Sequence, residues 1–181
     1  MSQPDKEMCI NETRDWISKM VLGLNLCPFA HRPFNEDLIR YTVLEADRAA
    51  IEQINQEIKL LIDAELDDME TSLIILPQEI GFIPYLNLID QIEKLIIDQD
   101  LEGIVQVASF HPEYQFQDLS SEDVRNYTNR SPYPMIHLLR EESVTRAVQR
   151  HGNTHQIPID NQNKLLSIGK EGVDKLLRPE F

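Results

Sequence analysis

Three short β-forming stretches alternate with two amphipathic stretches, and this order constrains the fold more than any other feature. The β-forming stretches are residues 38–44, 72–76 and 103–109. The stretch after Asp47 and the stretch from Pro84 repeat apolar residues with the 3.6-residue period of an amphipathic helix. Strands joined by helices of crossover length predict a βαβαβ unit with a parallel core and right-handed connections.

Residues 135–140 fit either a strand or a helix, and we predict a strand. Pro132 and Pro134 bias the residues before them toward extended backbone. Ser143 is a better N-cap than the residues upstream, so we expect a helix from there to His151. The whole prediction is a single α/β domain with a small mixed sheet, in which packed helices cover a βαβαβ parallel core plus a fourth strand.

The two ends of the chain differ in character. The first ten residues are polar, and we predict a flexible N-terminal tail over 1–10 and the α/β domain over 11–181. The first helix is expected from about Asn11 to Leu24, and the last from about Asp160 to Leu177.

The charge of the chain bears on its partners and its location. Among 181 residues, 31 are acidic and 17 are basic, which gives a formal charge of −14. Such a surface repels phosphate backbones and anionic lipids, so we expect neither nucleic-acid nor membrane binding. We expect a cytoplasmic protein whose Cys9 and Cys27 stay unpaired in a reducing compartment. The composition does not decide the oligomeric state.

The arginines concentrate in one part of this acidic chain. Half of them lie within residues 125–150, and no acidic residue occurs from Arg125 through Arg140. The planar guanidinium can hold a carboxylate or a phosphate with two parallel hydrogen bonds, which predicts a pocket for a small anionic molecule. The alternative is that these arginines pair with the excess acids, and we expect Arg146 and Arg150 on a solvated helix face. The candidate ligand-binding residues are Arg130, Ser131, Tyr133 and Arg140.

Two histidines are candidates for catalytic proton transfer. His111 follows the third predicted strand at its carboxyl end, which is where open α/β sheets place ligands. His137 lies inside the predicted fourth strand. If these strands pair, the two imidazoles could act together near neutral pH. The alternative for His137 is a buried histidine held by hydrogen bonds.

A metal site is a weaker interpretation of the same residues. Cys27 and His31, with His111 and His137, would supply four zinc or iron ligands. Pro28 prevents a regular helical turn from presenting the first two side chains together. We therefore predict no cofactor and a buried, unreactive thiol at Cys27, with bound zinc or iron as the alternative.

Three segments resemble those of a known family. They are residues 22–30 (LGLNLCPFA), residues 108–112 (ASFHP) followed by Phe116, and residues 128–134 (TNRSPYP) followed by 137–141 (HLLRE). With them the chain resembles a bacterial family catalogued as a domain of unknown function, number fourteen-fifteen of that series. The resemblance extends over almost the whole chain after the tail, and it implies no activity, cofactor or catalytic residue.

Two functions are compatible with these features. The first is an enzyme that acts on a small phosphorylated or carboxylated metabolite, with Arg130 and Arg140 holding the anion and His111 and His137 moving protons. The second is a non-catalytic binding or regulatory module in which the long loop over residues 111–133 binds an acidic peptide or protein partner. For either function, we expect His111, Arg130 and His137 to converge on one concave site lined by residues 110–140.

Overall fold

The computed structural model describes residues 5–47, 49–152 and 154–178 of the chain. The strands are β1 (Ile39–Val43), β2 (Thr71–Ile75), β3 (Val105–Phe110) and β4 (Met135–Arg140). The helices are α1 (Lys6–Trp16), α2 (His31–Asn35), α3 (Ala50–Asp63), α4 (Phe82–Asp98), α5 (Glu141–His151) and α6 (Ile157–Leu177). A π-helical segment (Ile17–Leu22) continues α1, and short 3-10 turns cover Val124–Thr128 and Thr154–Gln156.

The four strands form one mixed sheet in the order β1-β2-β4-β3. β1 and β2 are parallel neighbours, whereas β4 runs antiparallel to both β2 and β3. The mixed α/β fold and the fourth strand are therefore confirmed. β1, β2 and β3 share one direction as predicted, but β4 separates β2 from β3. Met135, Ile136 and Leu138 of β4 are fully buried, and such apolar residues on both faces suit a central strand.

Helices cover both faces of the sheet. On one face, α3 and α4 pack Ile54, Ile58 and Ile92 against Ile136 and Leu138 of β4. On the other face, α1 contacts β1, and α6 packs on the π-helical segment and the Val124–Thr128 turn, so that these helical segments share one core with the sheet. The buried residues of this second core include Trp16, Met20, Leu73, Met135 and Leu165. Alternate residues of each strand therefore belong to different cores.

The N-terminal boundary differs from the prediction. α1 begins at Lys6, and the Asp5 carboxylate accepts from the Glu7 N–H, so residues 6–10 are helical rather than part of a tail. Cys9 is fully buried on the same helix face as Thr13 and Trp16. The polar Thr13 interrupts the apolar pattern, although its hydroxyl is satisfied by the Cys9 carbonyl at 2.8 Å. Residues 1–4 of the expected tail lie outside the described residues.

The remaining boundaries agree more closely. Asp47 precedes α3 and its carboxylate accepts from the Ala49 N–H at 2.8 Å. α5 begins at Glu141, two residues before Ser143, because it follows β4 without a loop. Gly152 ends α5 with a φ of 83°, as the glycine there predicts. Cys9 and Cys27 are both free thiols.

The Tyr85 hydroxyl joins β3 to β4 at the end of their ladder. The Phe110 N–H donates to this oxygen at 3.0 Å, and the hydroxyl donates to the Met135 carbonyl at 2.7 Å. Tyr85 is fully buried. The phenol therefore replaces a direct strand–strand hydrogen bond where the two strands separate.

We predict that Tyr85→Phe lowers the free energy of unfolding by about 1–3 kcal/mol, because it leaves a partly buried N–H and a buried carbonyl without partners. Urea unfolding followed by circular dichroism measures this. Tyr127→Phe is the matched control and should change stability by less than about 0.5 kcal/mol, since that hydroxyl makes no hydrogen bond among the described residues and the variant keeps the ring that packs on Arg130. Equal losses in the two variants would contradict the bridging role.

Candidate functional site

His111 is held by backbone atoms on both ring nitrogens. Nε2 lies 2.8 Å from the Ile80 carbonyl, and Nδ1 accepts from the Glu113 N–H at 3.0 Å. Because a carbonyl only accepts, Nε2 carries the proton. His111 is 2% exposed, and its ring packs beside Phe82 and Tyr85, on the α4 side of the sheet. His111 therefore ties two loops together and has no free nitrogen for proton transfer.

His137 lies on the opposite face of the sheet. Its Nε2 is 2.7 Å from the Thr71 hydroxyl, which itself donates to the Leu138 carbonyl at 2.6 Å. The imidazole must then donate to Thr71 from a protonated Nε2. Its ring centroid is 6.3 Å from that of Phe110, a member of the core beneath α1. The structure thus does not bring the two histidines together, and the expected convergence of His111 with His137 is wrong.

Arg140 also serves the fold. Its Nη2 donates to the carbonyls of Ala64 and Met69 at 2.6 and 3.2 Å, and Nη1 donates to that of Ile62 at 3.4 Å. Two of these carbonyls lie at the C-terminal end of α3, where a positive charge is favourable. Arg140 belongs to the α3 side, away from His137, because neighbouring positions of a strand alternate between faces. Arg140 is not among the residues that line the cavity beside Arg130, so the two arginines do not form the predicted anion site together.

Backbone carbonyl groups hold the guanidinium of Arg130, but not all of its N–H donors have a partner among the described residues. Its Nε donates to the Tyr114 carbonyl at 3.1 Å, and Nη2 donates to the Ser121 carbonyl at 2.6 Å. The guanidinium carbon lies 5.0 Å from the centre of the Tyr127 ring. Nη1 has no partner among the described residues. The cation is therefore rigidly placed, with one edge unoccupied.

The other arginines of this segment follow the ion-pair alternative. Arg125 pairs with Asp123 at 2.7 Å, and Arg146 pairs with Glu142 on an exposed face of α5. Arg146 therefore lies on a solvated helix face, as expected. The side chain of Arg150 lies outside what the structure describes.

A cavity of about 350 Å³ opens beside Arg130, and we call it the Arg130 cavity. Its walls include Trp16, Tyr127, Arg130, Ser131, Pro132 and Leu177. Glu12 and Asp15 of α1 also border it, but both carboxylates have partners of their own. Glu12 accepts from the Tyr133 hydroxyl, and Asp15 pairs with Lys19 at 2.8 Å.

Ser131 lines this cavity, and Tyr133 contacts two of its lining residues, Glu12 and Ser131. The Ser131 hydroxyl donates to the Tyr133 carbonyl at 2.5 Å and closes the proline-rich turn. Burial, and then the hydrogen bond to the Glu12 carboxylate, raise the pKa of the Tyr133 phenol. Trp16 packs in the core beneath α1 and also contacts the loop that carries Arg130. Its indole N–H donates to the Arg130 carbonyl at 3.0 Å, a contact with a distant loop that helical periodicity cannot indicate.

A second cavity, of about 360 Å³, lies next to Cys27, and we call it the Cys27 cavity. All three segments that carry the family resemblance contribute to its walls. They supply Leu26 and Cys27, Phe110 and Phe116, and Thr128 and Asn129. Burial raises the pKa of the Cys27 thiol, although hydrogen bonds from the backbone of Phe29 and Ala30 oppose this. The raised pKa favours the protonated thiol over the thiolate.

The four residues of the metal interpretation do not assemble. His31 is exposed, and its Nε2 lies 3.4 Å from the Asn25 side-chain oxygen. His111 and His137 occupy opposite faces of the sheet. Across residues 5–47, 49–152 and 154–178, no three histidine, cysteine or acidic side chains gather in a way that could hold a metal ion.

Comparison with known proteins places the chain in a family. It matches the family model described as "Protein of unknown function (DUF1415)" over residues 8–175. The chain belongs to this family. The resemblance read from its three segments is therefore confirmed. No curated protein and no solved structure matches the chain. Within the described residues, no helix is long and apolar enough to cross a bilayer.

We predict that His137 makes stability fall as the pH drops from about 6.5 to 4. Burial lowers the pKa of His137 from 6.5 to about 4, so in this window the unfolded chain binds a proton that the folded chain does not. One pKa unit corresponds to about 1.4 kcal/mol, so the expected loss is on the order of 2 kcal/mol for this partly buried ring.

His137→Gln tests this prediction, because glutamine does not titrate and its amide can still donate to Thr71. Urea midpoints at pH 7 and pH 4.5 should differ less in this variant than in the wild type. His31→Gln, at an exposed position, is the control and should keep the wild-type pH dependence. An unchanged pH dependence in His137→Gln would show that other groups cause the acid sensitivity.

Proposed function

We propose that the chain binds a small carboxylated molecule in the Arg130 cavity. The observation that carries this proposal is the guanidinium of Arg130, which is held by two carbonyls and an aromatic ring yet makes no close ion pair among the described residues, although the charge of nearby Glu122 acts on it. Nη1 and the remaining proton of Nη2 form the end of the guanidinium fork. A carboxylate can accept both donors in a planar, bidentate arrangement.

The charges around the cavity favour a carboxylate over a phosphate. Glu12 and Asp15 border the cavity and repel any anion that enters. A phosphate monoester carries about −1.5 to −2 charges at neutral pH, whereas a carboxylate carries only one. The single charge therefore meets less repulsion while using the same guanidinium donors.

The walls indicate the rest of the ligand. Trp16, Tyr127, Pro112 and Leu177 present apolar surface around the charged edge of Arg130. A volume of about 350 Å³ lies at the lower end of the range for small-molecule sites. We therefore propose a compact ligand with one carboxylate and an apolar or aromatic body.

We favour binding without chemistry over the enzyme alternative. That alternative assigned proton transfer to His111 and His137, and both imidazoles are engaged by hydrogen bonds on opposite sides of the sheet. An acidic peptide, the other expected partner, would bring several carboxylates toward Glu12 and Asp15 and fits the cavity less well. We also propose a cytoplasmic location, which the acidic composition and the two free thiols support.

We predict that Arg130→Lys weakens carboxylate binding by about tenfold or more, because one ammonium cannot hold two carbonyls and also present a planar fork. A panel of aliphatic and aromatic monocarboxylates, titrated calorimetrically, supplies the probes. The corresponding neutral amides should not bind, and phenyl phosphate should bind more weakly than benzoate. Emission from Trp16, the chain's single tryptophan, should change on binding.

Arg146→Lys is the matched control, since it changes the same residue type on an exposed helix face. It should leave the affinity within about twofold of the wild type, in keeping with the small worth of a surface ion pair. Equal effects at Arg130 and Arg146 would indicate diffuse electrostatics without a built site. Equal binding of carboxylates and amides would overturn the role of the guanidinium.

A further inference from the structure

The outer edge of β1 is open. β1 lies at one end of the sheet and pairs only with β2. Leu38 accepts from a β2 amide and Leu44 donates to a β2 carbonyl, so the even-numbered residues of this segment face β2. The outward-facing backbone groups are those of Ile39, Tyr41 and Val43. Within the described part of the chain, their N–H and C=O groups have no hydrogen-bond partner.

The opposite edge of the sheet is better satisfied. On β3, the Val105 N–H donates to the Leu101 carbonyl at 3.1 Å, and the Ser109 carbonyl accepts from the Asn129 side chain at 3.1 Å. Burial is similar at the two edges, since no residue of β1 and only Val105 of β3 is buried, so the hydrogen-bond partners on β3 make the difference. β1 is therefore the edge at which the sheet can accept another strand.

An acidic groove of about 600 Å³ runs beside this edge, between β1 and the C-terminal end of α3. Two of its charged residues are neutralised, because Arg40 pairs with Glu57 at 2.9 Å and Asp37 pairs with Arg14 at 2.9 Å. The uncompensated charges belong to Asp63 and Asp68. Both are exposed and have no ion-pair partner among the residues that the structure covers.

The groove also offers apolar surface. Leu60 of α3 is 47% exposed and lines it together with Met69 and Ile39. An extended segment lying against β1 would direct alternate side chains toward this groove. Basic residues at such positions would reach Asp63 and Asp68, and their alkyl stems would cover Leu60.

We propose that β1 accepts an extended, lysine- or arginine-rich segment of another protein as a fifth strand. Backbone hydrogen bonds to Ile39, Tyr41 and Val43 would hold the segment, and the groove would select its charge. A second copy of this chain fits less well, because it would bring a further −14 charge and its own Asp63 and Asp68 to the same edge. This surface is separate from the Arg130 cavity, so the two proposals stand or fall independently.

Hydrogen exchange with a synthetic peptide tests the proposal. The probe is a seven-residue peptide of alternating lysine and valine, added to the isotopically labelled full chain. The amides of Ile39, Tyr41 and Val43 should exchange more slowly when the peptide is bound. Those of Arg40 and Thr42 should change little, because they already donate to β2. Slower exchange at every second amide of β1 is the pattern that strand addition produces and that non-specific binding does not.

Three control comparisons accompany the exchange experiment. A peptide of alternating glutamate and valine should not bind, and a lysine–valine peptide N-methylated at alternate amides should lose the protection pattern. The double variant Asp63→Asn, Asp68→Asn should bind the lysine–valine peptide roughly threefold to tenfold more weakly, as expected for two partly solvated charge pairs. Asp90→Asn, Glu93→Gln on the exposed side of α4 should bind like the wild type.

Several results would overturn the proposal. Binding without slower exchange at the three outward amides would indicate non-specific charge attraction, as would equal binding of the N-methylated peptide. Slow exchange of these amides without peptide, together with a dimer in analytical ultracentrifugation, would show that a second copy covers the edge.

Discussion

The hydroxyl of Tyr85 connects α4, β3 and β4 at the point where the sheet gives way to the loop that carries Arg130. It accepts from the Phe110 N–H and donates to the Met135 carbonyl, so one side chain completes the ladder between two strands that are separating. Next along the chain, the backbone N–H of His111 donates to the Asn129 carbonyl, and Nε2 of its ring donates to the Ile80 carbonyl. The start and the end of the loop are therefore fixed relative to the core, and the position of Arg130 depends on that anchoring.

Side chains organise this loop where regular secondary structure is sparse. Asn126 accepts from the Phe116 N–H at 3.1 Å and donates to the Ser120 carbonyl at 2.8 Å, while fully buried. Arg130 spans the Tyr114 and Ser121 carbonyls in the same manner. A long loop with few aliphatic residues can be ordered only if its buried backbone groups find such partners. Two of the candidate ligand contacts, Arg130 and Ser131, thus donate to carbonyls of the loop itself.

The spacing of apolar residues predicted the strands and the crossover helices well. Each of these elements is determined mainly by the residues within it, so its pattern can be recognised in the sequence. The proline bias before residues 135–140 likewise identified β4. The site was less predictable because its contacts are distant and involve backbone atoms. The imidazole of His111 bonds to Ile80 and Arg140 bonds to Ala64, and no residue-type pattern encodes a carbonyl acceptor. The alternation of a strand does separate His137 from Arg140, and it argues from sequence alone against a shared pocket.

Arg130 and Arg140 show why an arginine in an acidic chain is not by itself an anion site. Neither makes a close ion pair among the described residues, and both donate to backbone carbonyls. Nη1 and Nη2 of Arg140 donate to backbone carbonyls at the C-terminal end of α3. Its Nε is buried and has no partner in the described ranges. Arg130 uses Nε and one Nη2 proton, and it lines a cavity. An arginine that stabilises the fold can also bind a ligand only where two adjacent N–H donors of its guanidinium have no protein partner and lie beside a cavity. Of the two arginines predicted to hold an anion, only Arg130 meets that condition.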